Sequence, residues 1–341
     1  LADHPAIKEA AIKAVEKFGA GAGASRLICG SLAPFHELEE QLAAFKKTAA
    51  ALTFATGYAA ATGTITSLMG KDDVVIIDKL VHASIVDAAK LSGAKLRIFD
   101  HNDLDDLEKI LVWANEKSHK ASHPSRTLII AESVFSMDGD AAPLREIVAL
   151  KEKYSAWLMV DEAHATGIIG HGGRGLADKL GIGDRIEIQF GTLGKALGAS
   201  GGYICGSRTL IDYLVNRARS FIFSTAPVPS AAATAAAGIQ LAQSAEGETR
   251  RKALFSRLEE LNSRLKIHKS GLQSAIAPLI YGDEKKAVSI AADLRAQNIF
   301  VPAIRYPTVA RGAARLRVTL TAAHTAEDVA ALCAALPTIP G

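Results

Sequence analysis

The sequence predicts an α/β fold with a mostly parallel central sheet flanked by helices, followed by a smaller C-terminal α+β domain. The first observation is that short apolar runs alternate with helical patterns; four of these runs lie at 74–78, 127–132, 157–162 and 186–192. Continuous apolar strands separated by helices are typical of a parallel sheet that is covered on both faces. The second observation is a change after about residue 238, where charged helices and isolated strands replace this alternation.

The N-terminal segment, residues 1–35, is predicted to be a helix followed by a glycine-rich loop. Asp3 is a candidate N-cap, Pro5 suits the first turn and Gly19 ends the helical pattern. The apolar residues that recur at helical spacing are Ile7, Ala10, Ala11, Ala14, Val15 and Phe18. Because the chain begins at Leu1, directly before this helix, we expect a further segment upstream of it.

The rest of the chain is predicted to form a large domain over 36–238 and a small domain over 239–341. The large domain begins with an amphipathic helix over 36–45 and contains the four apolar runs. The small domain is predicted to contain a charged helix over 248–266, a second helix from about Lys286, and strands in IAPLIYG, NIFVPAIRYP and ARLRVTLTA.

Composition excludes several classes of protein. The formal net charge is +3, without long basic runs, which argues against a dedicated nucleic-acid surface. The cysteines have neither disulfide-framework nor zinc-site spacing, so we expect a cytoplasmic protein that binds no metal: Cys29, Cys205 and Cys333. No signal peptide or membrane span is visible, since the most apolar stretch, 230–242, is too short.

The segment GTLGKALGASGGY places Lys195 among glycines, which is compatible with a phosphate-binding loop or with a reactive amine. A Walker A loop requires Ser or Thr after its lysine and a glycine at its first position. Ala196 and Gln189 occupy those two positions. The N-terminal GAGAGASR follows a helix and lacks the GxGxxG spacing of a dinucleotide site. Neither glycine-rich segment therefore favours nucleotide binding.

The reactive-amine interpretation is favoured because candidate partners for Lys195 follow the predicted strands. A lysine that forms a Schiff base with pyridoxal 5′-phosphate (PLP) needs an acid for the pyridine nitrogen, a group that covers the ring, and donors for the phosphate. Asp161 ends a predicted strand, with His164 three residues later, and His82 follows another strand. Asp161 alone could be a helix cap or a structural ion pair. Only the combination with the histidines and Lys195 favours a PLP site.

Seven motifs follow one another in the order found in the α-oxoamine synthases, namely TGYAAATG, DKLVHASIVDAA, ESVFSMDGDAAPL, VDEAHATGIIG, GTLGKALGASGGY, FIFSTAPVP and RLRVTLTAAHT. The chain resembles this family over its whole length. The family consists of fold-type I PLP-dependent transferases that condense a small amino acid with an acyl-CoA. The segments TGYAA, STAPVP and VPAIRYPTVARGAARLRVTLTAAHT most resemble the biotin-pathway branch. Glycine acetyltransferases usually carry CFDAN-like and FSNSLPP-like segments instead.

The resemblance implies roles for the four candidate catalytic residues. Lys195 would bind PLP covalently and then act as base and acid at the substrate's α-carbon. Asp161 would pair with the pyridine nitrogen, and His164 would bond the phenolic oxygen of the ring. His82 would stack on the ring and guide the substrate.

The resemblance also implies the remaining cofactor and substrate contacts. The cofactor would be bound by Gly57, Tyr58, Ser136 and Thr192, and by Ser224 and Thr225 of the partner subunit in a homodimer. Arg317 would bind the carboxylate of the amino acid through its planar guanidinium, and Thr308 would contact the substrate. The implied substrates are L-alanine and a pimeloyl thioester of CoA or of a carrier protein.

Two departures from the family leave the acyl specificity open. The chain lacks an N-terminal stretch with a substrate-contacting arginine, and Tyr306 stands where proline is usual. One alternative is a sister enzyme that uses glycine or serine with another acyl-CoA. A second alternative is a PLP-binding partner subunit without activity, against which the presence of Lys195, Asp161 and both histidines argues.

Overall fold

The computed structural model describes residues 1–120, 125–267 and 274–337. The described chain forms two compact units. The first contains residues 1–133 and 142–244, and the second contains 134–141 together with 245 onwards. The sequence-based boundary at 238 falls inside a helix that continues to Gln243.

The first unit contains a seven-stranded sheet. Its strands are β1 (Ala50–Phe54), β2 (Val74–Asp78), β3 (Lys95–Phe99), β4 (Thr127–Glu132), β5 (Trp157–Asp161), β6 (Ile188–Thr192) and β7 (Gly202–Gly206). Their order is β1-β7-β6-β5-β4-β2-β3, and only β7 pairs with its neighbours in the antiparallel direction. This confirms the predicted fold class.

The apolar runs correspond to the central strands, whereas three strands gave no signal. β2 and β4 have the predicted bounds, β5 ends one residue earlier and β6 begins two residues later than predicted. β3 was missed because it is an edge strand in which Lys95 and Arg97 are not buried. β1 and β7 were missed because AALTF and GYICG are rich in small residues, although every residue of both strands is buried.

Ten α-helices are described in the first unit. They are α1 (Pro5–Phe18), α2 (Ala33–Lys46), α3 (Gly57–Leu68), α4 (Ala83–Leu91), α5 (Leu104–Lys120), α6 (Leu144–Lys153), α7 (Leu176–Leu180), α8 (Arg208–Arg217), α9 (Arg219–Ile222) and α10 (Pro229–Gln243).

The start of α1 differs from the prediction. His4, and not Asp3, is the N-cap, because its Nδ1 accepts the N–H of Ala6 at 3.2 Å. Gly19 ends the helix as predicted, with φ +81°. Of the apolar residues assigned to one face, only Ile7 and Ala14 are buried.

The alanine-rich helix α10 packs against α2 and against the loop that follows β6. Most of its buried side chains are alanine, and such short side chains let neighbouring segments pack close to the helix backbone. Gly238 makes the closest approach, since a Cβ at this position would lie 2.3 Å from the carbonyl oxygen of Leu197. The small residues of α10 therefore hold the loop that carries Lys195.

The second unit contains a three-stranded antiparallel sheet and three helices in the part of the chain that the structure describes. They are α11 (Ala245–Leu265), β8 (Ile276–Gly282), α12 (Glu284–Ala296), β9 (Ala303–Ile304), β10 (Ala314–Thr319) and α13 (Ala326–Ala335). The sheet order is β8-β10-β9. The short segment 134–141 joins this unit because Arg315 pairs with Asp138, and Ser274 Oγ donates to Gly139 O at 2.9 Å.

Within the described residues, no helix is long and apolar enough to cross a membrane. Cys29, Cys205 and Cys333 are all free cysteines.

A buried ion pair joins α2 to the segment after β5. The side chains of Lys46 and Glu162 are fully buried and in direct contact. Lys46 Nζ also donates to Thr166 Oγ1 at 3.2 Å, and Glu162 accepts the N–H of Ala177 at 2.9 Å. Although burial by itself would lower the pKa of Lys46, the neighbouring Glu162 raises it, so this amine is charged.

We expect Lys46→Met to destabilise the protein by about 3–5 kcal/mol, because it leaves Glu162 buried without a cation. The adjacent Lys47 is a matched control, since it pairs with Asp178 but 65% of its side chain is exposed. Lys47→Met should cost less than about 1 kcal/mol. The measurement is urea unfolding of the two variants beside the wild type. Equal losses for both variants would contradict the structural importance of the buried pair.

Candidate active site

The carboxyl ends of the parallel strands form one edge of the sheet in the first unit. The residues that end β2, β4, β5 and β6 are Asp78, Glu132, Asp161 and Thr192. Because β7 runs in the opposite direction, its first residue, Gly202, lies at the same edge and pairs with Thr192. Gly202 also pairs with Phe54, the last residue of β1, so the start of α3 lies at this edge as well. Ligands bind at this edge in open α/β sheets.

Asp161 is a buried carboxyl group, with 5% of its surface exposed. Its Oδ1 accepts the N–H of Ala163 at 2.8 Å. Burial raises the pKa of Asp161 to about 6, and the positive charge of Lys195 acts in the opposite direction. A cationic N–H donor bound at this carboxylate would lower its pKa and stabilise the charged form.

Lys195 and His164 are in direct contact, with 2.7 Å between Nζ and Nε2. Lys195 lies in the loop between β6 and β7, which is closed by a bond from Leu193 N to Gly201 O at 2.9 Å. Gly198 has φ +71° and donates its N–H to Lys195 O at 3.1 Å. This left-handed turn explains one glycine of the segment, because other residues rarely adopt that conformation.

The N-terminus of α3 can bind an anion. The amides of Gly57 and Tyr58 are the first two of the helix, so no carbonyl within the helix can accept their hydrogens. Thr56 Oγ1 caps the N–H of Ala59 at 3.0 Å. A Cβ on Gly202 would lie only 2.6 Å from Gly57 Cα, so glycine is required for β7 to approach this helix end.

Thr192 lies beside the same helix end. A Cβ built on Gly57 would lie 4.0 Å from Thr192 Oγ1. This hydroxyl donates to Gly201 O at 2.9 Å and accepts the N–H of Gly194 at 3.2 Å. Tyr58 extends outwards, where its hydroxyl donates to Asp87 Oδ2 at 3.1 Å. The amide of Tyr58 is thus a donor at one end of α3, and the hydroxyl of Thr192, whose hydrogen is directed to Gly201 O, lies beside it.

His82 is the N-cap of α4. Its backbone N–H donates to the buried carboxylate of Glu132 at 2.5 Å. Burial of part of the ring lowers the pKa of His82, and the positive charge of Lys195 lowers it further, while Asp87 acts in the opposite direction. The ring is therefore neutral at physiological pH, and Lys195 is close enough to affect it electrostatically.

These residues fit PLP. The donors at the start of α3 suit a phosphate, and the buried Asp161 suits a protonated ring nitrogen. Lys195 offers an amine to the aldehyde of the cofactor, at 2.7 Å from a histidine that can bond the neighbouring ring oxygen.

The arginines of β10 lie in the second unit and differ in their partners. Arg315 pairs with Asp138 and also donates to Met137 O at 3.1 Å. The acceptors bonded by Arg317, within the described chain, are uncharged: Ser136 O at 2.7 Å and Thr319 Oγ1 at 2.8 Å. Burial lowers the pKa of Arg317. Both arginines reach the same segment, 134–141, because residues two apart on a strand point to the same side.

The other predicted contacts lie on loops. Thr308 is exposed, and its N–H donates to Arg305 O at 2.9 Å. In the same loop, the Arg311 guanidinium carbon lies 4.2 Å from the centroid of the Tyr306 ring. In the first unit, Thr225 forms an isolated β-bridge with Ser25, and Ser224 Oγ donates to Thr225 O at 3.3 Å. Roles for these residues stay predictions.

Two residues beside the site had no assigned role in the sequence. Glu132 ends β4, and its carboxylate accepts the N–H of His82, which lies 50 positions away at the start of α4. Ser84 bonds the His82 ring, and its place in VHAS, two residues after the histidine and at the start of a helix, was the available signal.

Comparisons with known proteins agree with this geometry. The family model described as aminotransferase class I and II matches residues 2–336. The 8-amino-7-oxononanoate synthase of Geotalea daltonii is 47% identical over 96% of this chain and 83% of that protein. The enzyme of the same name from Geobacter sulfurreducens is 44% identical over 99% of this chain and 86% of that protein.

Solved structures show the same fold. The serine palmitoyltransferase of Sphingomonas wittichii superposes with a TM-score of 0.91, at 31% identity, over 98% of this chain and 83% of that chain. A variant of serine palmitoyltransferase from S. paucimobilis with a bound PLP–myriocin aldimine gives the same values. The 8-amino-7-oxononanoate synthase of Francisella tularensis has a TM-score of 0.80, at 27% identity, over 97% of this chain and 92% of that chain.

We expect Asp161→Asn to stabilise the cofactor-free protein at about pH 8 by roughly 1–3 kcal/mol. The pKa of this carboxyl, about 6 when folded, lies above its value of 3.8 in an unfolded chain. Ionised Asp161 therefore costs stability, and this cost develops as the pH rises through that window. The gain should vanish towards about pH 3, where the carboxyl is neutral in both states.

The measurement is urea unfolding of the cofactor-free proteins at both pH values. Asp184→Asn is the control, because Asp184 is exposed and its change should leave stability almost unaltered. If the Asp161→Asn protein is no more stable than the wild type at about pH 8, burial of the ionised Asp161 carboxylate does not cost the stability assigned to it.

Proposed function

Because the chain belongs to the aminotransferase class I and II family and shares 44–47% identity with 8-amino-7-oxononanoate synthases, we propose that it condenses L-alanine with a pimeloyl thioester. The products are 8-amino-7-oxononanoate, CO₂ and the free thiol, and the reaction belongs to biotin biosynthesis. The observation that carries the proposal is that Asp161, Lys195 and the start of α3 lie at one edge of the sheet.

PLP, when bound, supplies an electron sink for the negative charge that develops at the α-carbon of the amino acid. The protein's contribution begins with Asp161, whose buried carboxylate keeps a proton on the ring nitrogen. Gly57 and Tyr58 would bind the phosphate through their two amides, and Thr192 would add its hydroxyl by turning its hydrogen from Gly201 O to the phosphate. These contacts hold the cofactor at both ends.

Lys195 moves the proton at the α-carbon. Its Nζ would attach PLP in the resting enzyme, and the amine would be free while alanine is bound. The released amine is then a base, and His164, 2.7 Å away, holds it in position. His82 is neutral and orients the substrate. After loss of CO₂, the same amine returns the proton.

Arg317 binds the carboxylate of the amino acid in this proposal. The support is that its guanidinium is partly buried and bonds uncharged oxygens, so a carboxylate would find an available positive charge. Arg315 is unsuited to this role because Asp138 already neutralises it. A planar guanidinium also fixes the carboxylate in two places, which orients the bond to be broken.

The enzyme is proposed to be a homodimer in which Ser224 and Thr225 bind the cofactor phosphate of the partner subunit. The support is that this segment exposes an apolar side chain, Phe223, of which 70% is accessible. The thiol carrier is CoA or a carrier protein, and Thr308 contacts the substrate.

A second candidate is condensation of serine with a long-chain acyl-CoA. The observation that favours it is the TM-score of 0.91 with serine palmitoyltransferases, compared with 0.80 for an 8-amino-7-oxononanoate synthase. Sequence identity favours the first candidate, at 47% against 31%.

The function is tested by thiol release with alanine, glycine or serine against pimeloyl-, acetyl- and palmitoyl-CoA. We expect activity with alanine and pimeloyl-CoA to exceed every other pair by at least about tenfold. Lys195→Ala is the control and should reduce the rate by several orders of magnitude while PLP still binds. Preference for serine with palmitoyl-CoA would establish the second candidate instead.

Arg317→Lys should raise the KM for alanine by about tenfold or more, because lysine keeps the charge but cannot bond a carboxylate through two parallel donors. The KM for the acyl thioester and the visible spectrum of the bound cofactor should stay unchanged. Arg315→Lys is the matched variant, and we expect it to lower stability with little effect on the KM for alanine. The opposite result, with the larger KM change at Arg315, would reject the assignment.

A further inference from the structure

The imidazole of His82 makes two contacts with one residue, Ser84. The backbone N–H of Ser84 donates to His82 Nδ1 at 3.2 Å, and Ser84 Oγ lies 2.8 Å from the same nitrogen. Ser84 is almost fully buried, with 2% of its surface exposed, and it is the second residue of α4. Both donors are therefore held rigidly against one edge of the ring.

A backbone N–H can only donate a hydrogen bond, so Nδ1 must accept with its lone pair. A neutral imidazole carries only one hydrogen on its two nitrogens, and this hydrogen must then lie on Nε2. The hydroxyl of Ser84 can rotate to donate to Nδ1 as well. The tautomer of His82 thus follows from the bond to Ser84 N–H, in which the backbone amide can only be the donor.

We propose that Ser84 is a positioning residue that holds His82 in the Nε2–H tautomer, so that the ring offers the substrate a hydrogen-bond donor and no basic nitrogen. This inference rests on the proposed function, because it concerns how that reaction is divided among side chains. His82 orients an oxygen of the substrate, and proton transfer at the α-carbon is left to Lys195.

An N-capping bond alone would also account for the contact between Ser84 N and His82 Nδ1. Capping, however, uses only the backbone of Ser84 and would be satisfied by any side chain at this position. The buried hydroxyl at 2.8 Å adds a second donor to the same nitrogen. Burial and the charge of Lys195 both lower the pKa of His82, which keeps the ring in the neutral form that has a tautomer to select.

Two substitutions remove the donors in steps. Ser84→Ala removes the hydroxyl alone, and Ser84→Pro removes both the hydroxyl and the backbone N–H. Proline is tolerated in the first turn of a helix, and the chain already has Ala33–Pro34 at the corresponding positions of α2. Thr209→Pro is the matched control, because Thr209 is the exposed second residue of α8 and the cap of that helix bonds Leu210 instead.

The test is ¹⁵N NMR of the PLP-loaded enzyme labelled at histidine, at about pH 8, where the ring is neutral. The chain has 10 histidines, and the signals of His82 are identified by their absence from His82→Gln. We expect the wild type to show a protonated Nε2 and an unprotonated Nδ1. In Ser84→Pro both signals should move towards the average of the two tautomers, with a smaller shift in Ser84→Ala and none in Thr209→Pro.

The same variants are compared by their kinetics. In Ser84→Pro we expect the KM for alanine to rise by about tenfold, which corresponds to the loss of one hydrogen bond, while the PLP content stays unchanged. A protonated Nδ1 in the wild type would overturn the proposal, as would unchanged His82 signals in both Ser84 variants. Should Ser84→Pro not fold, the wild-type spectrum and Ser84→Ala decide the question. Failure of the proposed function is distinguishable, because the tautomer would stand while alanine and pimeloyl-CoA gave no product.

Discussion

The ion pair between Lys46 and Glu162 allows two consecutive carboxyl groups to be buried where β5 ends. Glu162 is neutralised by a fully buried amine, whereas Asp161 faces Lys195, which is exposed. Without Lys46, two adjacent acids would share one region of low dielectric, and one of them would have to take up a proton. Because Glu162 is neutralised separately by Lys46, the charge of Asp161 is left for a ligand where β5 ends. A carboxyl group with a raised pKa is suited to a cationic ligand.

Close approach between backbones is the second constraint on the site. Gly202 lets β7 lie against the start of α3, where a Cβ would be 2.6 Å from Gly57 Cα, and Gly238 lets α10 lie against the carbonyl of Leu197. These contacts fix the positions of the phosphate donors and of the loop that carries Lys195. The glycines of the segment 191–202 thus have structural roles around a reactive lysine, and they do not form a nucleotide-binding loop.

Histidine chemistry at the site depends on local partners that differ between the two rings. His164 contacts the amine of Lys195, whereas the Nδ1 of His82 is occupied by its own helix. The first arrangement suits a group that shares hydrogen bonds with a reacting amine and a cofactor. The second suits a group of fixed polarity. Two similar side chains at one edge of a sheet are therefore divided between different tasks.

The sequence by itself determined the fold class, the central strands and the candidates Asp161, His164, His82 and Lys195, because apolar runs and strand-end polar residues are local patterns. It missed β1, β3 and β7, whose small or edge-strand residues lack such a pattern. Only the tertiary structure decided that Glu132 bonds the amide of His82 and that Asp138 neutralises Arg315 while Arg317 bonds the carbonyl oxygen of Ser136. Those partners are separated by 50 to 181 positions along the chain, and no local spacing records which side chains meet across such distances.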